Sequence, residues 1–336
     1  MPRKVASDST SRSARTFLAL CTAAAAVALL AVPSASYAQP RSLGEVQNEV
    51  DKLNHDAEIA TERYNEAVDR LKAAEKRLKV VQDRIATQQR KLNTLQDEIG
   101  AFAALAYRNG GMDRTLQLLT SNDPTQFLAQ ASTLDQLSDQ QAGVLRRLQS
   151  AQQTLQATRL KADQEISEIE AARKDLSKQK STVEEKLRKA RALLNQLTEE
   201  QRRQVLEPNE PDPPVPNVPA TGRAQAAVNY AKAQLGDPYV WGSDGPDSFD
   251  CSGLTMAAWG AAGVSLPHSS AQQYGYGQFV SRSELIPGDL VFFYSPISHV
   301  GIYIGNGAMI HSPHAGDVVR VASISMMPYV GARRVG

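Results

Sequence analysis

The sequence of 336 residues predicts an α+β protein: a long α-helical coiled-coil hairpin, a proline-rich linker, and a small C-terminal domain with an antiparallel sheet and packed helices. Three observations predict this architecture. Apolar heptad repeats run from residue 41 to 100 and again from about residue 134 to 205, six prolines lie between Glu207 and Gly222, and short apolar runs follow to the C-terminus. Heptads favour coiled coils, prolines exclude helix, and short β-branched or aromatic runs separated by turn residues indicate strands.

Residues 1–38 have the features of a secretory signal peptide. Four basic residues precede an apolar run of 16 residues from Phe17 to Val32, and small residues end at Ala38. This pattern predicts cleavage after Ala38 and a secreted protein of the cell envelope, outside the cytoplasmic membrane. An uncleaved membrane anchor is the alternative, but the run is shorter than the roughly 20 residues that a spanning helix needs.

Charge and cysteine content narrow the possible functions. Removal of residues 1–38 leaves 33 basic and 35 acidic residues, a net charge of −2, with no basic patch that would indicate nucleic-acid binding. Cys21 lies in the signal segment, so the mature chain keeps one cysteine, Cys251, and cannot form an internal disulfide. Because an unpaired thiol is at risk of oxidation outside the cell, a purely structural role for Cys251 is unattractive.

Residues 39–206 predict the coiled coil. Apolar residues recur in alternating steps of three and four from Leu43 to Ile99, interrupted only by Gln88. Many of these residues are alanine, which lets helices approach closely. A weaker seam runs from about Leu134 to Val205 and includes Leu145 and Ile166. Two arms of similar length joined by a connector predict an antiparallel hairpin within one chain, with a parallel homodimer as the alternative.

The connector near residues 101–133 is more apolar than a solvated tip requires. After a loop at Asn109-Gly110-Gly111 and a short apolar segment, Asp123 is a predicted helix cap and Pro124 the first residue of the next helix. The tip is either a small local core or a docking surface for a partner. Its apolar residues include Phe102, Leu105, Tyr107, Leu116, Leu119, Phe127 and Leu128.

The prolines of residues 207–222 predict an extended, semi-rigid linker, and residues 223–336 predict a separate domain. Its pattern indicates a helix over 223–235 and a second helix that begins near Cys251 and ends near Gly263. Helices followed by a meander of strands favour an antiparallel sheet with helices on one side. The predicted strands cover 289–294, 299–305, 308–313 and 318–324.

Cys251 is the candidate nucleophile of this domain. A thiol nucleophile needs a lowered pKa and a base that accepts its proton, and the dipole at a helix start favours the thiolate. His299, at the start of a strand, is the candidate base. A structural zinc site of Cys251, His299, His311 and His314 is the alternative, but it lacks the close ligand pairs of such sites, so we expect no metal or other cofactor.

The turn of the predicted hairpin that follows His299 determines whether His311 lies on the same face of the sheet as His299. If residues 305–307 form a three-residue loop, Ile304 pairs with Ala308 and the two histidines share one face of the sheet. A two-residue Asn-Gly turn would place them on opposite faces. The catalytic interpretation therefore requires an odd loop or a bulge.

The phrases "GDPYVWGSDGPDSFDCSGLTMAAWG", "PGDLVFFY" and "SHVGIYIGNGAMIHSP" resemble the NlpC-type family of bacterial cell-wall cysteine peptidases. They occur in the family's order and, with their flanks, cover nearly all of residues 223–336. The resemblance implies a papain-like domain in which Cys251 is the nucleophile, His299 the base and His311 the residue that orients the base. It also implies that Tyr239 lies beside the nucleophile and assists the oxyanion, and that Asp250 and Ser252 line the substrate groove.

The whole layout resembles actinobacterial and mycobacterial Rip-type peptidoglycan endopeptidases. This resemblance implies hydrolysis of stem peptides between D-isoglutamate and meso-diaminopimelate during cell-wall remodelling and daughter-cell separation. The tip resembles that of cell-division hydrolases that dock on the FtsE–FtsX membrane transporter. A non-catalytic scaffold with a wall-binding domain and an N-acetylmuramoyl-alanine amidase are the alternatives.

The coiled coil has two possible roles in control. It either covers the Cys251 groove until a membrane partner binds the tip, or it is a passive spacer that holds the domain at the right height in the wall.

Overall fold

The computed structural model describes residues 41–108, 124–206 and 212–336. The signal peptide, the loop and cap at 109–123, and the first residues of the linker lie outside the described residues, so the expectations about them stay predictions. No helix of the described part has the length and apolar character that crossing a membrane requires.

Two long helices form the predicted antiparallel hairpin. Helix α1 spans Leu43–Arg108 and helix α2 spans Pro124–Leu194. Ion pairs join the two helices in antiparallel order: as residue numbers increase along α1, those of the partners on α2 decrease. The pairs are Asp56 with Lys186, Arg77 with Glu165, and Glu98 with Arg147. Pro124 begins α2, as the sequence predicted.

The hairpin seam follows the predicted heptad on α1 more closely than on α2. Ala67 and Ala74 are fully buried, which lets the helices approach closely. On α2, Leu145 and Ile166 were expected in the seam but are exposed, and Val144 is buried instead of Leu145. The phase of the second arm was therefore wrong at these positions.

The second arm is not one continuous helix. Helix α2 ends at Leu194, and a short helix α3 spans Glu199–Leu206. Thr198 and Gln201 form a reciprocal capping box: the Thr198 backbone N–H donates to the Gln201 side chain, and the Gln201 N–H donates to the Thr198 hydroxyl. A capping box favours the start of a helix, which explains why a new helix, α3, begins after α2 has ended.

The second part of the linker lies on the C-terminal domain. Residues 212–221 form neither helix nor strand, as six prolines predict, but Asp212 accepts hydrogen bonds from Arg320. Pro216 is buried, and the Val218 side chain lies against Gly305. This part of the linker is therefore held by the domain and contributes little free reach.

The C-terminal domain contains the predicted antiparallel sheet and packed helices. Six strands have the order β1-β6-β2-β3-β4-β5, and every pair is antiparallel. Strands β1 and β6 were not predicted, because β1 has three residues and β6 mixes glycine with two arginines. The strands are β1 Gln278–Val280, β2 Leu290–Phe293, β3 His299–Gly305, β4 Ala308–His311, β5 Arg320–Ser323 and β6 Tyr329–Arg334.

Two helices cover one face of this sheet. Helix α4 spans Gly222–Ala233 and helix α5 spans Cys251–Ala261; both pack against β3, and α5 also packs against β4. Trp259 of α5 is buried in this core, so the helix cannot slide along the sheet. A short helix α6, Ser270–Gln273, and a 3₁₀ turn at Arg282–Glu284 complete the domain.

The β3–β4 hairpin differs from the expected loop but reaches the expected register. Gly305 pairs with Ala308, so the turn has two residues, Asn306 and Gly307, both with positive φ. The expected Ile304–Ala308 pair is therefore wrong. The register then shifts between Tyr303 and Gly305, so that Ile302 pairs with Ile310. This bulge restores the register that places His311 opposite Gly301.

Gly301 gives the first test of this register. A Cβ there would lie 2.8 Å from Met309 Sδ and 3.3 Å from His311 Cβ. We expect Gly301→Ala to lower the free energy of unfolding by about 1–3 kcal/mol, measured by urea denaturation. Gly143→Ala in α2, where a Cβ meets nothing within 4 Å, is the control and should be neutral or stabilising. Equal stability of both variants would contradict the register.

Candidate active site

Cys251 is the first residue of α5, at the sheet face that the helix covers. The preceding residue, Asp250, caps this helix by accepting a 2.7 Å hydrogen bond from the Gly253 backbone N–H. The sequence supports this arrangement because aspartate is a preferred N-cap residue. The Cys251 side chain is only 1% exposed. The thiol thus lies at a helix N-terminus but out of contact with bulk water.

Asp250 is held by donors from several segments. Its carboxylate accepts from the Gly242 backbone N–H at 2.9 Å and lies 3.0 Å from His268 Nε2. It also accepts from Asn65 Nδ2 at 2.9 Å. Asn65 belongs to α1, so the coiled coil contributes a partner to the residue that caps the nucleophile helix.

His299 and His311 lie side by side on β3 and β4. His299 Nε2 is 2.8 Å from His311 Nδ1, and the two rings are nearly perpendicular. Burial, together with the charges of His299, Arg320 and His314, holds the pKa of His311 well below its ordinary value. A neutral His311 can accept the N–H of His299 Nε2, which fixes the His299 ring and directs Nδ1 away from His311.

Glu58 of α1 binds the second ring nitrogen of His299, Nδ1. Its Oε1 forms a short hydrogen bond with His299 Nδ1. Burial acts to raise the pKa of Glu58, but the charge and hydrogen bond of His299 outweigh burial and hold it below the ordinary value. A Glu58 carboxylate oxygen, Cys251 Sγ and a ring nitrogen of His299 all lie within 4.8 Å of one another. The nucleophile and base are therefore close, but the nitrogen that would take the proton is bound to Glu58.

Glu62, one turn further along α1, binds the other side of the thiol. Its carboxylate accepts from Ser252 Oγ at 2.7 Å, from Ser270 Oγ at 2.7 Å and from the Ser270 backbone N–H. Cys251 Sγ donates to Glu62 Oε1 at 3.5 Å. Burial and the nearby Asp250 raise the pKa of Glu62 to about 7.

The contact continues for two more turns of α1. Asp69 accepts a 3.0 Å hydrogen bond from the His268 backbone N–H, and Glu66 accepts from Ser269 Oγ at 3.1 Å. The Tyr64 ring stands edge-on against Trp241, with centroids 5.1 Å apart. A continuous strip of α1 from Glu58 to Asp69 thus covers the groove in front of Cys251.

This environment opposes ionisation of the thiol. Burial, and then the carboxylates of Glu62, Glu58 and Asp250, raise the pKa of Cys251 well above its ordinary value. The same factors of burial and nearby negative charge raise the pKa of Tyr239 well above its ordinary value, so its hydroxyl keeps its proton. With α1 in place, the thiol is protonated and covered.

One side of the histidine pair borders a cavity of about 610 Å³. It lies between α1 and the domain, and it reaches Glu58, His299 and His311. Charged side chains of both signs line the rest of it, including Asp51, Asp317, Asp212 and Arg320.

The structure brings Cys251, His299 and His311 into one cluster, with Tyr239, Asp250 and Ser252 around them; their catalytic and binding roles stay predictions. His314 is not part of the histidine pair; its Nδ1 lies 3.5 Å from Nδ2 of Asn54 in α1. Sequence reasoning missed Glu58, Glu62 and Asn65. These α1 residues lie outside the heptad core, where polar side chains normally face solvent, so their buried positions left no signal.

Three comparisons with known proteins concern the C-terminal domain. A protein-family model described as the NlpC/P60 family matches residues 236–333. A probable endopeptidase of Mycobacterium tuberculosis is 50% identical over 116 residues, which are 34% of this chain and 30% of the relative. A probable endopeptidase of Corynebacterium glutamicum is 43% identical over 116 residues, 34% of this chain and 56% of the relative. The chain thus matches about half or less of these relatives' lengths.

Similar solved structures include the NlpC/p60 domain of the peptidoglycan hydrolase SagA. It is 35% identical, and the match covers 33% of this chain and 98% of that chain, with a TM-score of 0.32.

The raised pKa of Glu62 predicts that docking of α1 over the Cys251 thiol depends on pH. Its pKa of about 7 in the docked state is above the ordinary value, so the docked state binds a proton more tightly than a released state does. Docking is therefore favoured at low pH and weakens about tenfold between about pH 6 and pH 8. We expect iodoacetamide to alkylate Cys251 slowly at pH 6 and faster at pH 8.

Glu62→Gln is the matched control, because glutamine cannot ionise. Alkylation of any thiol accelerates with pH, so the quantity to compare is the ratio of the wild-type rate to the Glu62→Gln rate at each pH. The ratio should rise about tenfold across this range. A constant ratio would show that Glu62 does not control access to the thiol.

Proposed function

Because residues 236–333 belong to the NlpC/P60 family, we propose that this chain is an exported peptidoglycan hydrolase, a cysteine endopeptidase that cleaves stem peptides. The bond that we assign to it joins D-isoglutamate to meso-diaminopimelate. The observation that carries the proposal is the cluster itself: a thiol at a helix N-terminus beside two paired histidines. The relatives named as probable endopeptidases, and the neighbour named as a peptidoglycan hydrolase, support it.

The reaction begins when α1 leaves the groove. Freed from Glu58, His299 Nδ1 loses its own proton to water and can then take the proton of Cys251, and the thiolate attacks the peptide carbonyl of the substrate. Backbone N–H groups at the start of α5, assisted by the protonated Tyr239 hydroxyl, hold the oxyanion. His299 gives that proton to the leaving amine as the acyl-enzyme forms. It then takes a proton from the attacking water and passes it to the Cys251 sulfur as the acyl-enzyme is hydrolysed.

His311 acts through His299. Because it is neutral and buried, it accepts the Nε2–H of His299 and keeps Nδ1 directed at the thiol. The positive charge that His299 gains in the reaction strengthens this hydrogen bond. His311 is therefore an orienting residue, whereas Cys251 and His299 exchange the proton.

The coiled coil supplies the control that a wall-degrading enzyme needs. We assign the docked α1 strip to a resting state and its release to a membrane partner of the FtsE–FtsX transporter type, bound at the apolar tip. Two apolar side chains in the described part of α1 near that end, Leu105 and Tyr107, are exposed, which supports a docking role. Such control would confine hydrolysis to the place and time of daughter-cell separation.

Mass spectrometry of muropeptides tests the activity and the bond. Digestion of purified peptidoglycan should yield fragments cut between D-isoglutamate and meso-diaminopimelate. Fragments cut at the muramoyl–alanine bond would instead identify an amidase, and intact muropeptides from a released enzyme would favour a scaffold.

Variants of the cluster test the roles. Cys251→Ala should reduce hydrolysis at least about 1000-fold, and His299→Ala should be nearly as severe. His311→Ala should be about 10–100-fold milder than these, because an orienting group is not in the proton path. Thermal unfolding checks that each variant remains folded. If His311→Ala is inactive while His299→Ala has normal rates, the roles of base and orienting residue are reversed.

The resting-state assignment predicts that the mature full-length protein is slower than residues 221–336 on the same peptidoglycan. The full-length variant Glu58→Ala/Glu62→Ala should approach the faster rate, because it lacks both carboxylates on the groove. Equal rates per molecule for all three proteins would leave the coiled coil as a passive spacer.

A further inference from the structure

The contact between α1 and the active site brings together three side chains that bind transition metals. Glu58 comes from the coiled coil, Cys251 from the start of α5 and His299 from the start of β3, and their ligand atoms lie within 4.8 Å of one another. We propose that Glu58, Cys251 and His299 form an inhibitory site for one Zn²⁺ ion, which locks the coiled coil onto the active site. This site goes beyond the proposed hydrolase activity and does not depend on it.

The ligand types fit zinc. Thiolate, imidazole and carboxylate are its three usual protein ligands, and open zinc sites use three protein ligands and one water. Bond lengths of about 2.0–2.3 Å place ligand atoms of a tetrahedral site about 3.5 Å apart. The three atoms therefore need displacements of only about 1 Å or less. This set differs from the four-residue set considered from sequence, because Glu58 is included and His311 and His314 are not.

His311 provides the outer support that a metal-bound histidine needs. It pairs with Nε2 of His299 at 2.8 Å, which fixes the ring and leaves Nδ1 on the side of Glu58. A metal-binding histidine usually has such a partner on its second nitrogen. Zinc would thus replace the proton between His299 Nδ1 and Glu58 without rearranging the histidine pair.

Charge also favours a cation at this position. Three buried carboxylates, Glu58, Glu62 and Asp250, surround the thiol. Three histidines lie beside them: His299 and His55 near Glu58, and His268 near Asp250. Buried carboxylates are costly without a cationic partner, and a bound divalent ion would be a partner whose charge does not depend on the protonation of a histidine.

The cavity gives an ion a route to the ligands. It has a volume of about 610 Å³ and borders both Glu58 and His299. Asp51 and Asp317 also line it, so its wall includes carboxylates that attract cations. Zinc can therefore reach the cluster while α1 remains docked.

Binding is an exchange of protons for the metal. Bonds form from zinc to Cys251 Sγ, His299 Nδ1 and a Glu58 oxygen, and the thiol proton and the Nδ1 proton pass to water. No group is oxidised or reduced. Because two ligands belong to the domain and one to the coiled coil, the ion binds only the docked state tightly. At a free Zn²⁺ concentration 100 times its Kd, docking would strengthen about 100-fold.

Competition with a chromophoric chelator, on the mature full-length protein with ZnCl₂, measures this affinity. We expect one Zn²⁺ per chain, with affinity at least about 100-fold weaker in Glu58→Gln and in Cys251→Ser. Glu66→Gln is the matched control, since Glu66 is on the same helix and contacts Ser269 rather than the cluster; its affinity should change less than about twofold. Circular dichroism checks that each variant keeps its helical content.

Two further readouts locate the ion. Co²⁺ in place of Zn²⁺ should give a thiolate-to-metal charge-transfer band that is absent in Cys251→Ser. Zn²⁺ should raise the Tm of the wild type but not of Glu58→Gln. Absence of stoichiometric binding, or equal affinity of wild type and Glu58→Gln, would overturn the proposal. Neither readout requires hydrolysis, so failure of the metal site and failure of the hydrolase proposal are distinguishable.

Discussion

The hydrogen bond between Glu58 and His299 is the contact on which the functional state of the molecule depends. It joins the coiled coil to the candidate base and occupies the nitrogen that the base needs. Glu62 makes the parallel contact with Ser252 and Ser270 on the other side of the thiol. Both carboxylates lie one turn apart on α1, so a single helix face holds nucleophile and base at once. Removal of the helix would free both together, which is the basis of the proposed control by docking of α1.

The same contacts oppose ionisation of the Cys251 thiol although it lies at a helix start. A helix N-terminus favours a thiolate, but that effect is worth at most about 1–2 kcal/mol. Burial and three nearby carboxylates act in the opposite direction and raise the pKa of Cys251 well above its ordinary value. In the proposed resting state, the coiled coil would therefore inhibit electrostatically as well as sterically. Release of α1 removes two of the three carboxylates and restores water to the groove, and the helix dipole and His299 then favour the thiolate.

Sequence patterns predicted the periodic parts of this protein, and the resemblance to a family singled out the residues that the structure brings together around Cys251. The heptad on α1 predicted the hairpin because core spacing is set by helix geometry. Cys251 and His299 were chosen because they begin a helix and a strand and because their surroundings resemble the NlpC-type family. The hairpin register was reached through a bulge at Ile304 that no residue pattern specifies. Glu58 and Glu62 could not be found, because a polar residue outside a heptad core has the same pattern whether it meets solvent or another domain. Leu145 was wrongly predicted to be in the seam. The heptad pattern of α2 includes several polar residues, so it does not define which helix face is buried.

A double-mutant cycle between Glu58 and His299 measures the central contact directly. The free energy of unfolding of the full-length protein would be determined for Glu58→Gln, His299→Ala and the double variant. We expect a coupling energy of about 1–3 kcal/mol, since the two groups form a buried, charge-assisted hydrogen bond. Effects that add to within about 0.5 kcal/mol would mean that α1 and His299 do not interact in solution, and would contradict the account of a base held by the coiled coil.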